Sequence, residues 1–422
     1  MSKQTTHIHK LIADYLKENN YPETLKQFEI EHGNRIHPSK LLDESLHDII
    51  TDRLQYNTLI HQTETINVND ELNDDLKTII RDEFTNWITP YPNTPSKLVN
   101  DIHGLVIGSC YSPTTGMVYF STNDSKVYVV KGNDVVNSIK MPVVIKNVLC
   151  VGDSDVILVG MNGTLYLRHE ESLVEVSDFQ AHRRLIVDAK YIKSKGKEYI
   201  VSLGYDFYVR LIELENGKFR LLSEIKLQQQ GSCFDVTEYQ NQVIIVLGKL
   251  ENTLLDVISV NGNDELVPLY KISLNDAEFT ASGFSPRSLT IQSLDIPLVA
   301  VGTSHEPYMR VIIVPLQEQN TTDGPIKRNQ IIKNLNTMSP QDRYSQPIIS
   351  WRLCKQQGKA SGVWVMGDDG IIRGLDIKED KVVVELKNGH EGKIKDFISY
   401  IDDENGEKLI TCGLDREILE WK

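Results

Sequence analysis

The last stretch of the chain, Gly389 to Lys422, reads GHEGKIKDFISYIDDENGEKLITCGLDREILEWK, and its turns and apolar runs define a folding unit. A Gly-His pair opens it, and an apolar run follows from Ile394 to Ile398. A charged turn leads to a second run, Leu409 to Cys412. Asp415 then stands in a tight turn before Ile418, Leu419 and Trp421. Three short strands with turn signals between them make one antiparallel meander. One such unit proves little; its recurrence specifies an architecture.

The unit recurs in a worn form. A turn residue plus six is found at Asp124 to Val130, Asn162 to Arg168, Asp206 to Ile212, Asp369 to Leu375 and Asp415 to Trp421. Two weaker units, Phe234 to Leu274 and Phe279 to Leu316, fill the gaps. Units beginning near Val106, Val143, Leu185, Phe234, Phe279, Ile348 and Ile394 make seven, with one longer gap before Ile348. A period of about forty residues with four short strands per unit belongs to a propeller rather than a solenoid. An irregular β-sandwich explains neither the register nor the count. Gly-His, an Asp twenty-five residues after the His and a Trp six beyond it resemble the WD40 repeat. The expected fold is therefore mainly β, a seven-bladed WD40-type β-propeller over residues 97–422, preceded by a helical segment. The last unit is one strand short, and Lys97 to Asn100 is expected to supply it, because an open ring would expose unpaired strand edges.

The resemblance implies a buried hydrogen-bonded set in each regular repeat. In the seventh unit it maps onto His390, Thr411, Asp415 and Trp421; in the third, onto His182, Ser202 and Asp206, with Ile212 in place of Trp. The third set is expected to be incomplete and wetter, and the propeller, with the His missing from the other blades, to depend more on apolar packing than a regular family member. His390, Thr411 and Asp415 also read as a catalytic triad, but the repeat register accounts for each of them.

Before the propeller, Ile8, Leu11, Ile12, Tyr15 and Leu16 recur at helical spacing, with Thr5 or Thr6 available as an N-cap. Asn19-Asn20 breaks that helix, Pro22 suits the first turn of a second one, and Gly33 closes it. Two short helices cannot bury their apolar faces alone. Residues 1–34 resemble a LisH motif through Leu11, Ile12, Tyr15, Leu16, Tyr21, Thr24 and Phe28, with Glu31; Asn20 stands where glycine is common and Leu25 where alanine is. The resemblance implies a homodimer through a four-helix bundle. A hairpin packed on the propeller's own side is the alternative. Two more amphipathic stretches, residues 41–56 and 70–88, and the Pro-rich tract Thr89 to Pro95 form a spacer over 35–96.

Composition excludes several classes. A formal charge of −14 opposes general nucleic-acid binding, and half of it, −7, lies in the first 96 residues. No run has the roughly eighteen apolar residues of a membrane span, and the N-terminus lacks an apolar signal core. Five cysteines dispersed singly fit reduced thiols of an intracellular protein, cytoplasmic or nuclear, better than disulfides or zinc. Phosphate-loop, zinc-protease and nucleophile-elbow motifs are missing, so no catalytic residue, cofactor or metal is expected. The resulting expectation is a non-catalytic dimeric scaffold that binds protein partners through its propeller. LisH, helical spacer and propeller together resemble the lissencephaly-type regulators of dynein, the transducin-β-like corepressor subunits and LisH-containing ubiquitin-ligase subunits. An enzyme with polar groups at the channel mouth is the rival.

Overall fold

Runs rich in Val, Ile, Tyr and Phe, cut by Asn, Asp and Gly, favour short strands and tight turns. They fold into seven antiparallel sheets, the blades of a β-propeller. The structure, a computed structural model, describes residues 3–33, 36, 46, 47, 50, 72–152, 154–275, 283–317, 324–353, 358–402 and 406–422. The chain divides into Met1–Leu72 and Asn73–Lys422. In the second unit the blades span residues 106–140, 145–180, 186–226, 231–273, 286–340, 348–386 and 394–421, numbered one to seven below. The middle strands are buried along nearly their whole length, as in Met117–Thr122 and Leu298–Thr303, and apolar clusters fill the spaces between adjacent blades.

The ring closes, as expected, through a strand from the N-terminal side, which begins two residues before Lys97. Pro95–Lys97 pairs antiparallel with Ile418–Trp421, Pro95 facing Trp421. Asn93 and Thr94 donate to the Lys422 carbonyl, and Leu98 donates to that of Ile418. Pairing thus starts before Lys97. Pro95 is tolerated because this is the outermost strand, where a missing N–H leaves no ladder bond unmade. The outer strand of blade five, expected near Gln330 to Leu335, is Lys333–Pro340. Ile326–Lys327 first adds to blade four as a fifth, parallel strand, which delays the turn onto blade five. The unit expected to begin at Phe279 falls outside the described residues there and resumes at Pro286–Gln292.

Helix α3 (Asp74–Glu83) is capped by the Asn73 side chain, which accepts from the Asp75 N–H. The stripe read as one helix to residue 88 stops at Glu83, because Phe84 turns extended and bridges Ala360 of blade six. The Thr85 N–H donates to the Ala360 carbonyl, and the Ala360 N–H donates to that of Glu83. Leu76, Ile79 and Phe84 are buried. Trp87 then packs edge-on against Trp364, centroids 4.9 Å apart. A Cβ on Gly362 or Gly374 would lie 2.5 Å from the Trp87 ring, so these two glycines make its room.

In the first unit, α1 spans Lys3–Glu18 and α2 spans Pro22–His32. Helix α1 begins before Thr5, so neither threonine is its N-cap. Asn20 takes φ +64°, a left-handed conformation that glycine and asparagine adopt most easily, which explains Asn at this turn. Gly33 closes α2 at φ +76°. Of the stretch 41–56, only residues 46, 47 and 50 are described.

Candidate functional site

The turn between the second and third strands of each blade carries the polar chemistry the repeats retain. In blade seven, His390 Nε2 lies 2.7 Å from Thr411 Oγ1, and Nδ1 lies 3.1 Å from both Asp415 oxygens. The Trp421 indole N–H donates to Thr411 Oγ1 at 2.9 Å. A Cβ at Gly413 would sit 2.3 Å from Asp415 Oδ1 and 2.4 Å from His390 Nδ1, so the set needs glycine there. Thr411 is wholly buried, and its hydroxyl is shared between His390 and Trp421.

Blade three brings together the same set with a substitute for the tryptophan. His182 Nε2 lies 2.9 Å from Ser202 Oγ, and Nδ1 lies 2.8 Å from Asp206 Oδ1. The Arg210 guanidinium donates to Asp206 at 2.9 Å and to the Ala181 carbonyl at 2.7 Å. This corner is as dry as that of blade seven: both His side chains are 0% exposed, with Asp206 at 11% and Asp415 at 14%. Burial raises the Asp206 carboxyl, but hydrogen bonds from His182 and Arg210 outweigh it and hold the pKa at about 2. Burial lowers the His182 pKa despite Asp206, which favours the neutral ring.

The other blades also hold their turns with polar pairs. Blade one uses Thr122 donating to Asp124 at 2.5 Å, and blade two uses Asn162 donating to Tyr166 at 3.0 Å. Blade four has Lys249 on Asp256 at 2.7 Å, blade five Thr303 with His305 at 2.7 Å, and blade six a forked Arg373–Asp369 pair. Asp206–Arg210 and Asp369–Arg373 share an Asp-x-x-x-Arg spacing that is visible in the sequence and marks the arginine form of the corner.

The seven first strands line the central channel and link neighbour to neighbour. The Ser109 hydroxyl donates to Asp396, Asn147 donates to Asp188 at 2.9 Å, and Lys190 lies between Asp188 and Asp235 at 3.5 and 4.0 Å. Asp235 accepts from the Ile291 N–H at 2.9 Å, and the Ser232 hydroxyl donates to the Pro286 carbonyl at 2.7 Å. Burial pushes the Asp396 carboxyl up to about 7, with only partial relief from Ser109. Among the described residues no cluster of His, Cys, Asp and Glu could hold a metal ion.

Antiparallel order puts the second-to-third-strand turns and the blade-to-blade connections on one face. Met161, Tyr205, Phe207, Tyr308, Tyr344 and Leu414 project there, Tyr344 at 77% exposure. The residue after the turn Asp or Asn is left-handed in five blades: Ser125, Gly163, Phe207, Gly370 and Arg416. Glycine serves that position at no steric cost, whereas a bulky side chain is strained there. Phe207 adopts φ +67° and still faces solvent. Arg183 and Arg184 are exposed on the connection from blade two, and the Arg183 N–H donates to Asp206 at 3.2 Å. An open concavity of about 990 Å³ lies farther round this face, between Asn252, Ser273, Phe284, Ser304 and Arg328.

Of the residues assigned to the helical pair, Leu11 is buried, and Ile12, Tyr15, Leu16 and Phe28 are half-buried. Tyr21 and Thr24 are exposed, as are Ile8 and Ile30. His9 meets the edges of Phe28 and His32 at 5.8 and 5.0 Å. No described helix is long and apolar enough to cross a membrane.

These features define a class, a LisH helical pair joined to a seven-bladed β-propeller. The LisH profile of the UCP007778 family matches residues 6–37, and its β-propeller profile matches residues 66–422. The chain belongs to this family. It is 25% identical over 462 aligned positions to the Saccharomyces cerevisiae protein named "Uncharacterized protein YGR117C", covering 96% of this chain and 94% of that one.

Proposed function

We propose that the protein is a non-catalytic scaffold that binds protein partners on the turn face of its propeller and pairs with a second copy through its LisH helices. Phe207 carries the reading of the face. A phenylalanine in a left-handed turn position, where blades two and six place glycine and blades one and seven place Ser125 and Arg416, costs stability and exposes an aromatic ring. Such strain is retained where a side chain is used. Tyr205 shares the turn of Phe207, and Arg183 donates its N–H to the neighbouring Asp206; Arg and aromatic side chains are the commonest anchors of protein interfaces.

Ile8, Tyr21 and Ile30 support pairing, since all three are exposed on the helical pair α1 and α2. Covering them in a two-fold bundle uses the same patch on both copies. A dimer would also present two turn faces, raising effective concentration for a bivalent partner. Light scattering tests the pairing: the full chain should weigh about twice its 48.0 kDa, and a chain starting at residue 66 should weigh one copy. Equal mass per chain in both would end the dimer reading. Affinity capture with mass spectrometry tests the scaffold reading and separates motor, corepressor and ubiquitin-ligase partners, the three branches the domain order resembles.

A further inference from the structure

Two cysteines forty residues apart in the chain meet in the channel wall. Cys110 belongs to Val106–Tyr111, the first strand of blade one, and Cys150 to Ile145–Val151, the first strand of blade two. Their sulfurs are 3.1 Å apart, and either thiol can donate to the other. A disulfide needs about 2.05 Å, so closing the pair takes a shift of about one ångström. Both residues are partly exposed, whereas Cys233 and Cys412 are buried. A small oxidant therefore has a route to this pair. The hydrogen bond from Cys150 lowers the Cys110 pKa, and the same contact, added to by burial, raises that of Cys150. The pair is thus divided into a better thiolate and a retained thiol, as attack and resolution require.

We propose that Cys110 and Cys150 form a peroxide-sensitive disulfide site that staples blade one to blade two. The Cys110 thiolate attacks a hydroperoxide oxygen, forming a sulfenic acid and releasing hydroxide, or alkoxide from an organic peroxide. The Cys150 thiol then attacks the Cys110 sulfur, the S–S bond forms, and the sulfenic oxygen leaves as water with the Cys150 proton. Two thiols and one peroxide become one disulfide and two hydroxyl products, so electrons and atoms balance. A thiol reductant reverses the step. The link joins two strands of adjacent blades and closes a loop of 40 residues, which restricts the unfolded chain and raises the melting temperature.

The test treats the reduced full chain with hydrogen peroxide, alkylates it under denaturing conditions and maps the peptides. The expected product is a Cys110–Cys150 linked peptide, with two fewer alkylated thiols per chain, a higher melting temperature, and full recovery on reduction. Cys110→Ser and Cys150→Ser should each abolish the link, while Cys233→Ser should leave it. Mapping the native chain does not depend on how the variants fold. The proposal is overturned if Cys110 and Cys150 remain fully alkylatable after peroxide, if either links to another cysteine, or if both pass to sulfinic acid without joining.

Discussion

Arg352 Nε lies 3.3 Å from Glu407 Oε2, and both side chains are only 2% exposed. The pair ties three parts of the chain. Glu407, in blade seven, accepts from the Trp364 indole at 3.0 Å, the Leu353 N–H at 2.9 Å and the Ser399 hydroxyl at 2.9 Å. Arg352, at the end of the first strand of blade six, donates to the Pro90 carbonyl at 3.0 Å and lies 4.3 Å over the Trp87 ring. The segment before the propeller is therefore keyed into blades six and seven. A buried ion pair is expensive to desolvate and more expensive to halve.

Arg352→Leu should accordingly destabilise by about 3–5 kcal/mol, because it leaves Glu407 buried without its cation. Adding Glu407→Leu should recover part of that loss, so the double variant unfolds at higher denaturant than additivity requires. Denaturant titration of the two singles and the double measures this, and strict additivity would count against the coupling. A chain starting at Lys97 should melt well below one starting at residue 66, since it loses Trp87, Pro90 and most of the closing strand.

The turn corners predict an order. Asp206→Ala should cost at least as much as Asp415→Ala, about 1–3 kcal/mol each, because unpaired buried partners remain. Losing Asp206 takes one partner each from His182 and Arg210, while losing Asp415 takes one from His390 and from backbone N–H groups. Asp124→Ala should cost least, since that side chain is 46% exposed. Thermal melts rank the three; a smaller loss at Asp206 than at Asp124 would contradict the assigned network.

Acid separates them further. The folded pKa of Asp206, about 2, lies below the ordinary 3.8, so its stabilisation is present above pH 4 and is lost as pH falls toward 2. Melting temperature should drop more steeply over that window in the native chain than in Asp206→Asn.

Asp396 runs the other way. Its folded pKa, about 7, lies above 3.8, so the protonated form favours the fold and stability at this site declines as pH rises from 4 to 7. Asp396→Asn keeps a neutral side chain beside Ser109 and should flatten that part of the stability profile. An unchanged slope would show that Asp396 titrates normally.

Phe207→Gly should raise stability by about 1 kcal/mol or leave it level, since glycine adopts φ +67° freely. The same change should weaken capture of partners by the full chain. Phe207→Leu keeps the strain and removes only the ring, so it should weaken capture without the gain in melting temperature. Capture undiminished in both variants would remove Phe207 from the interface.

Periodicity and turn chemistry are local properties, and they made the architecture legible in the sequence. Seven blades follow from turn-plus-six registers, and the helix-breaking Asn19-Asn20, Pro22 and Gly33 follow from backbone preferences. The His390 and His182 sets could be named because their spacing is set by strands of fixed length. Tertiary structure alone decided the rest, because those contacts join residues far apart in sequence whose mutual facing no spacing fixes. Trp87 occupies space left by Gly362 and Gly374, Arg352 meets Glu407 across two blades, and Cys110 faces Cys150 across the channel wall. Pattern places each of these on a strand or helix; only ring closure says which side chains the curvature of the propeller brings into contact.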